Sequence, residues 1–159
     1  MSRMYPCLWF PHEAEEAAAF YVSLLPDSRI EEVQRVPADG PAGPAGGVLV
    51  VRFTLDGSPW IALNGRPPAI AFNHAVSVTI ECDDQAEVDR LWAALTADGG
   101  APVQCGWLTD RYGVSWQIVP KMLPPLISDP DRARATRVFE AMQDMVKLDI
   151  AALEAAAAG

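Results

Sequence analysis

The 159-residue chain has little of what builds disulfide frames, metal knuckles, membrane spans or nucleic-acid grips. Its three cysteines are Cys7, Cys82 and Cys105. They are odd in number, widely spaced and never in a CxxC pair, which argues for reduced thiols in a cytoplasm and against a disulfide scaffold or zinc knuckle. Only two histidines occur, His12 and His74. No apolar run approaches the roughly 20 residues of a membrane span. The start, Met1-Ser2-Arg3-Met4-Tyr5-Pro6, lacks the apolar stretch and small-residue cleavage site of a signal peptide. Positive charge is also scarce: 12 Lys and Arg against 21 Asp and Glu leave a net charge of −9. With no basic cluster, a nucleic acid or an anionic membrane would have to bind against that field. The expectation is a cytoplasmic protein with neither partner.

Apolar residues make up 50% of the chain, enough to bury the core of one domain or of two small halves. Tyr5 to Phe10 reads as a strand, and Glu13 to Leu25 as a helix with Ala17, Phe20 and Leu24 on one face, stopped by Pro26. Arg29 to Val36 is a strand. PADGPAGPAGG at 37–47 is an exposed loop. Val48 to Leu55 and Trp60 to Leu63 are strands joined by the hairpin signal Asp56-Gly57. Asn64 to Pro68 is a linker. Ala75 to Cys82 is then a strand, and Asp84 caps a helix to about Ala97 that buries Val88, Leu91, Trp92 and Leu95. Val103 to Leu108 and Val114 to Val119 are strands connected through Asp110-Arg111-Tyr112-Gly113, which reads as a turn. Pro120 to Pro130 is irregular. A last helix runs from Asp131 to about Ala157 with Val138, Met142, Met145 and Leu148 as its apolar stripe.

The order of elements repeats. An offset of 71 residues sets Glu16 on Glu87, Phe20 on Leu91, Tyr21 on Trp92, Leu24 on Leu95 and Asp27 on Asp98, and also Cys7 on Val78. After the glycine-proline loop is absorbed, Gly57 falls on Gly113 and Trp60 on Trp116. The fold expected is α+β: two βαβββ modules forming a cupped mixed sheet, with an extra C-terminal helix. Module 1 covers about 4–64, module 2 about 73–120 and the helix about 131–157, all within one domain, with breaks near 65–73. A cupped sheet offers a concave face to a ligand.

CLWF with EAEEAAAFYVSLLPDSRI, then WIALNG, FNHAVSVTIECDDQAEVDRLWAALTADGG, QCGWLTDRYGVSWQIVP and RVFEAMQDMVKLDIAALEAA together resemble the PhnB-like branch of the vicinal oxygen chelate (glyoxalase/bleomycin-resistance) superfamily. Many members of that branch are called 3-demethylubiquinone-9 3-methyltransferase-like. The resemblance implies a homodimer and a small molecule bound in a cleft. It implies no settled reaction.

The residues lend the methyltransferase name little support. A pocket for S-adenosylmethionine is usually announced by a glycine-rich turn between a strand and a helix. The only glycine-rich segment here, Pro37 to Gly47, precedes a strand. Catalytic members of the superfamily hold a metal through His, Glu or Gln at the start of the first strand and on the last strand of each module. Carried onto this chain, those positions are Pro6, Ser77, Ile61 and Gln117. Gln117 alone is a serviceable donor, so no metal and no cofactor are expected.

Gln117, Ser77, Trp107, Asn64, Trp9 and Cys105 are the candidate lining of a ligand cleft. Trp9 and Trp107 would supply aromatic walls, whereas Trp60, Trp92 and Trp116 sit at packing positions. Cys105 lacks an evident acidic orienter for nucleophilic work. His12 reads as exposed, and His74 as a surface or structural residue. Two readings stay open. One is a metal-independent small-molecule binding protein, for which the negative charge favours a cationic or neutral ligand. The other is an enzyme, of the metal-dependent lyase or dioxygenase type or the nominal methyltransferase.

Overall fold

The computed structural model describes residues 4–65 and 71–159. The start of the chain and most of the expected linker after Asn64 lie outside the described residues. Two units divide at Ile70 and Ala71.

The first unit runs β1 (Cys7–Phe10), α1 (Ala14–Val22), β2 (Arg29–Arg35), β3 (Val48–Leu55) and β4 (Ser58–Asn64). The second begins with β5 (Ser77–Cys82), α2 (Gln85–Thr96), β6 (Ala101–Pro102), β7 (Trp107–Thr109) and β8 (Ser115–Pro120). The sheets have the same topology, β1-β4-β3-β2 and β5-β8-β7-β6. In each, the first strand lies parallel to the last and the remaining pairs are antiparallel. The two βαβββ modules expected from the repeat are therefore present.

One face of each sheet is covered by its own helix, and period-two alternation decides which side chains lie there. In the first unit Phe10, Val51, Phe53, Leu55 and Ala62 are buried together with Ala14, Ala17, Ala18 and Tyr21 of α1. In the second, Ile80, Cys82, Leu108, Trp116 and Ile118 are buried with Val88, Leu91 and Leu95 of α2.

Burial and register correct the repeat by one residue in its first strand. Cys7 pairs with Ile61 and Thr79 with Gln117. Since Ile61 and Gln117 correspond, Cys7 corresponds to Thr79, and buried Phe10 to buried Cys82. Setting Cys7 on Val78, or Pro6 on Ser77, would turn each side chain to the opposite face. Further along the chain the 71-residue offset holds, for Asp27 and Asp98 both adopt left-handed backbone, at φ 44° and 53°.

Three further expectations change. Val103 to Leu108 is not one strand: Val103 to Gly106 forms the turn of the β6–β7 hairpin, and only Trp107 and Leu108 belong to β7. There Cys105 and Gly106 have positive φ, and Val103 N–H donates to Trp107 O. The segment 120–130 contains a short helix, α3 (Leu123–Ile127), whose prolines sit in its first turn, where an amide hydrogen is not needed. The single C-terminal helix is two, α4 (Arg132–Gln143) and α5 (Ile150–Ala158). The helix breaks because its connection has other partners. Cys105 N–H and Gly106 N–H donate to Met145 O and Val146 O. Gln85 of α2 accepts from Ile150 N–H and donates to Leu148 O, and Asp149 caps α5 through Ala152 N–H. Gly106 is required at this contact: a Cβ there would lie 2.8 Å from Ile118 O and 3.0 Å from Leu148.

The stripe on α4 does not await a partner chain. Val138 is buried with Leu123, Leu148, Leu153 and Ala157, and Met142 and Met145 pack against them. Among the described residues no helix is long and apolar enough to cross a membrane.

Candidate functional site

The sheet faces turned away from α1 and α2 carry the polar chemistry. On the second unit, register places Thr79, Gln117 and Trp107 in one row across β5, β8 and β7, with Ser77, Ser115 and Thr109 in the next row along. Gln117 Nε2 donates to Ser77 Oγ at 2.8 Å. The half-buried Trp107 meets the His74 ring edge-on, with centroids 5.9 Å apart. His74 Nδ1 lies 2.9 Å from Ser115 Oγ, and Ser115 is 1% exposed. Three of the expected cleft residues, Gln117, Ser77 and Trp107, thus share one patch. Ser115, Thr79 and His74 belong to it too. Parity with Gln117 marked Ser115 in the sequence, and the corrected first-strand register marks Thr79. His74 offered no signal, because its orientation comes from a hydrogen bond to a strand 41 residues away.

The corresponding row of the first unit reads Cys7, Ile61, Arg52 and Glu32 across β1, β4, β3 and β2. Trp9 lies on the same face as Cys7 and packs over Gly65. Arg52 sits over the Tyr5 ring at 5.5 Å, with Nε 3.7 Å from the Glu32 carboxylate.

Asn64 lies on the other face of β4, under the helix. Its Oδ1 accepts from Ala14 N–H at 2.8 Å, and its Nδ2 donates to His12 O and Val48 O. It caps α1, whose own N-terminal residues provide no side-chain cap. Cys105 stands at the β6–β7 turn against the α4–α5 connection, its Sγ 3.9 Å from Gln143 O. His12 is exposed beside Glu13. Asp110 confirms the turn reading of its segment: it is 2% exposed and accepts from Tyr112 N–H, Val114 N–H and Trp116 Nε1.

Burial pushes the Cys82 thiol up to about 12, and desolvation raises Cys7 more modestly. Neither is an activated nucleophile. Among the described residues, no group of three or more His, Cys, Asp or Glu could hold a metal ion. The turns from β1 into α1 (Pro11-His12-Glu13) and from β5 into α2 (Asp83-Asp84) contain no glycine.

Residues 2–119 match the family model described as 3-demethylubiquinone-9 3-methyltransferase. The chain belongs to this family. Among solved structures it is similar to the PhnB protein of Bacillus cereus, at 32% identity over 75% of this chain and 99% of that one, with a TM-score of 0.69. Two more distant structures share the fold. The fosfomycin resistance protein FosX of Listeria monocytogenes, solved with Mn(II) and sulfate, is 11% identical over 80% of this chain and 95% of its own (TM-score 0.53). A glyoxylase/bleomycin resistance protein/dioxygenase domain from Frankia is 10% identical over 76% of this chain and 97% of its own (TM-score 0.50). No curated protein matches. The family match stops at residue 119, so α3, α4 and α5 lie beyond it, including the RVFEAMQDMVKLDIAALEAA segment.

Proposed function

We propose that the second unit's open sheet face binds a small, partly apolar molecule without a divalent metal. The observation that carries this is the Gln117–Ser77 pair beside the half-buried Trp107. Neutral amide and hydroxyl groups on a strand face hydrogen-bond an uncharged or cationic ligand, and the indole gives its apolar part a wall.

Donor chemistry supports the metal-free reading. FosX from Listeria monocytogenes is described with Mn(II), and the shared fold brings the first and last strands of each module to the same places. In this chain the residues paired there are Cys7 with Ile61 and Thr79 with Gln117, Ser77 bonding to the latter. Ile61 has no donor atom, and the Cys7 thiol is raised away from its ligating form. Neutral Thr, Ser and Gln compete poorly with water for a divalent ion. The methyltransferase description of the family finds no support in the strand–helix turns, which lack glycine.

The homodimer that the resemblance implies belongs to the same proposal. It rests on the resemblance, because the α4 stripe is already covered within the chain. Light scattering should give twice the 17.2 kDa chain mass.

Two titrations test the reading. Tag-free protein titrated with Zn²⁺, Ni²⁺ and Mn²⁺ should show no stoichiometric sub-micromolar binding. A fragment screen followed by amide and indole NMR should find ligands that move the Trp107 indole and the Gln117 side-chain amide. Tight metal binding, or a metal-dependent lyase activity, would overturn the proposal in favour of the enzyme reading.

A further inference from the structure

A single hydrogen fixes the tautomer of His74. The Ser115 hydroxyl has one proton to give, and it donates to Asn73 O at 3.3 Å. Both contacts are satisfied together only when His74 Nδ1–H donates the 2.9 Å bond to Ser115 Oγ. A neutral imidazole with its hydrogen on Nδ1 carries a bare lone pair on Nε2. Asn73 helps to hold this arrangement, since its own side chain accepts from Ala75 N–H at 2.8 Å and shapes the turn before β5. The ring is fixed a second time by its edge-on contact with Trp107. Among the described residues nothing bonds to Nε2, and His74 itself is exposed. Gln117 is committed in the same sense: its Nε2 donates to Ser77, which leaves Oε1 as an acceptor on the same face.

We infer that this patch selects ligands that donate hydrogen bonds, with His74 Nε2 as the anchoring acceptor and Gln117 Oε1 as a second. The chemical class is an aryl or alkyl amine, or an alcohol, whose apolar body lies against Trp107. At these two atoms a carboxylate or phosphate would bring acceptor to acceptor. The net charge of −9 acts in the same direction, favouring an ammonium over an anion. The inference rests on the binding proposed for this face and adds the polarity of the ligand.

Two measurements test it. In His12→Gln protein, which retains a single histidine, the imidazole ¹⁵N shifts at pH 8 report the His74 tautomer directly. Nδ1–H is expected, and Nε2–H would overturn the inference. The second measurement uses benzylamine, benzyl alcohol and benzoate as probes, which share a ring and differ in the head group. Perturbation of the Trp107 indole signal should be strongest for benzylamine, weaker for benzyl alcohol and lacking for benzoate. His74→Phe keeps a ring against Trp107 but has no acceptor, and should weaken benzylamine by roughly five- to tenfold, the worth of one hydrogen bond. Equal binding of all three probes, unchanged in His74→Phe, would sink the inference and leave the binding face standing. No response to any probe would sink both.

Discussion

The two units fold alike and are finished differently. Both sheets have the same strand order, and both helices are followed by an aspartate in left-handed backbone. Their last hairpins differ. In the first unit β3 and β4 meet in two residues, Asp56 and Gly57, both at positive φ, the tight turn that suits the twist of paired strands. In the second, β7 and β8 are joined by Asp110 to Val114, and one buried carboxylate holds the connection. Helix starts differ too. Asp84 caps α2 through Glu87 N–H, and Glu87 reaches back to Asp83 N–H, whereas α1 is capped from across the sheet by Asn64. The open faces differ most, Cys7-Ile61-Arg52-Glu32 against Thr79-Gln117-Trp107. Backbone pairing and the helix-covered face are enough to specify this module, which leaves caps, turns and the open face free to diverge.

The largest effect should come from removing the buried carboxylate. Asp110→Ala strands the Trp116 indole N–H and two backbone N–H groups in a site only 2% exposed. A loss of about 3 kcal/mol or more is expected, since each buried unsatisfied donor costs about 1–3 kcal/mol. Thr54, in the strand that leads into the first unit's hairpin, makes one side-chain bond, to Glu31. Thr54→Ala should therefore cost about 1 kcal/mol. Urea unfolding of both variants checks the ratio. Equal losses would show that the two hairpins are held equally after all.

The helix caps come next. Asn64→Ala should cost about 2–3 kcal/mol, because it removes a donor and an acceptor that together serve three buried or half-buried backbone groups. Asp84→Ala, a local cap at an exposed helix start, should cost about 1 kcal/mol. The sequence carried the second cap openly, because an aspartate directly before an apolar-periodic run is a local signal. It could not carry the first, since Asn64 lies 50 residues from the amide it serves, and its side chain alone reads as a cleft residue.

The same division governs the rest of what could be read. The α2 face through Val88, Leu91 and Leu95, the Asp56-Gly57 hairpin and the order of the repeat depend on neighbours within a few residues, and the structure has them, although on α1 the buried aromatic is Tyr21 and not Phe20. The first-strand register depends on which face of a four-residue strand meets a helix, which CLWF does not encode locally. The α4–α5 break depends on Gln85, Cys105 and Gly106 claiming backbone groups at 145–150. Periodicity alone runs Val138, Met142, Met145 and Leu148 together as one helix. At the site, Gln117 and Ser77 follow from the superfamily's strand positions and Trp107 from its aromatic side chain, whereas His74 needs Ser115 from a different strand to orient it.

The smallest expected effect leaves stability untouched and reads the sheet faces through their thiols. Cys7 and Cys82 both belong to first strands, but they occupy opposite faces. Cys7 is exposed on the open face, and Cys82 is wholly buried under α2. Desolvation is the main cause that lifts the Cys82 thiol to about 12, with the nearby Glu87 carboxylate adding to it. At pH 8 such a thiol is thiolate in only about one molecule in ten thousand, and burial blocks the reagent as well. In a Cys105→Ser background, iodoacetamide should therefore modify native protein at Cys7 alone, faster as pH rises from 7 to 9. Cys82 should react only once urea unfolds the chain. Peptide mass spectrometry at timed intervals reads both sites in one sample. Native labelling of Cys82 at the rate of Cys7 would mean that β5 turns its other side to α2. The open face would then carry Val78 and Ile80 in place of Ser77 and Thr79, and the polar patch around Gln117 would be lost with it.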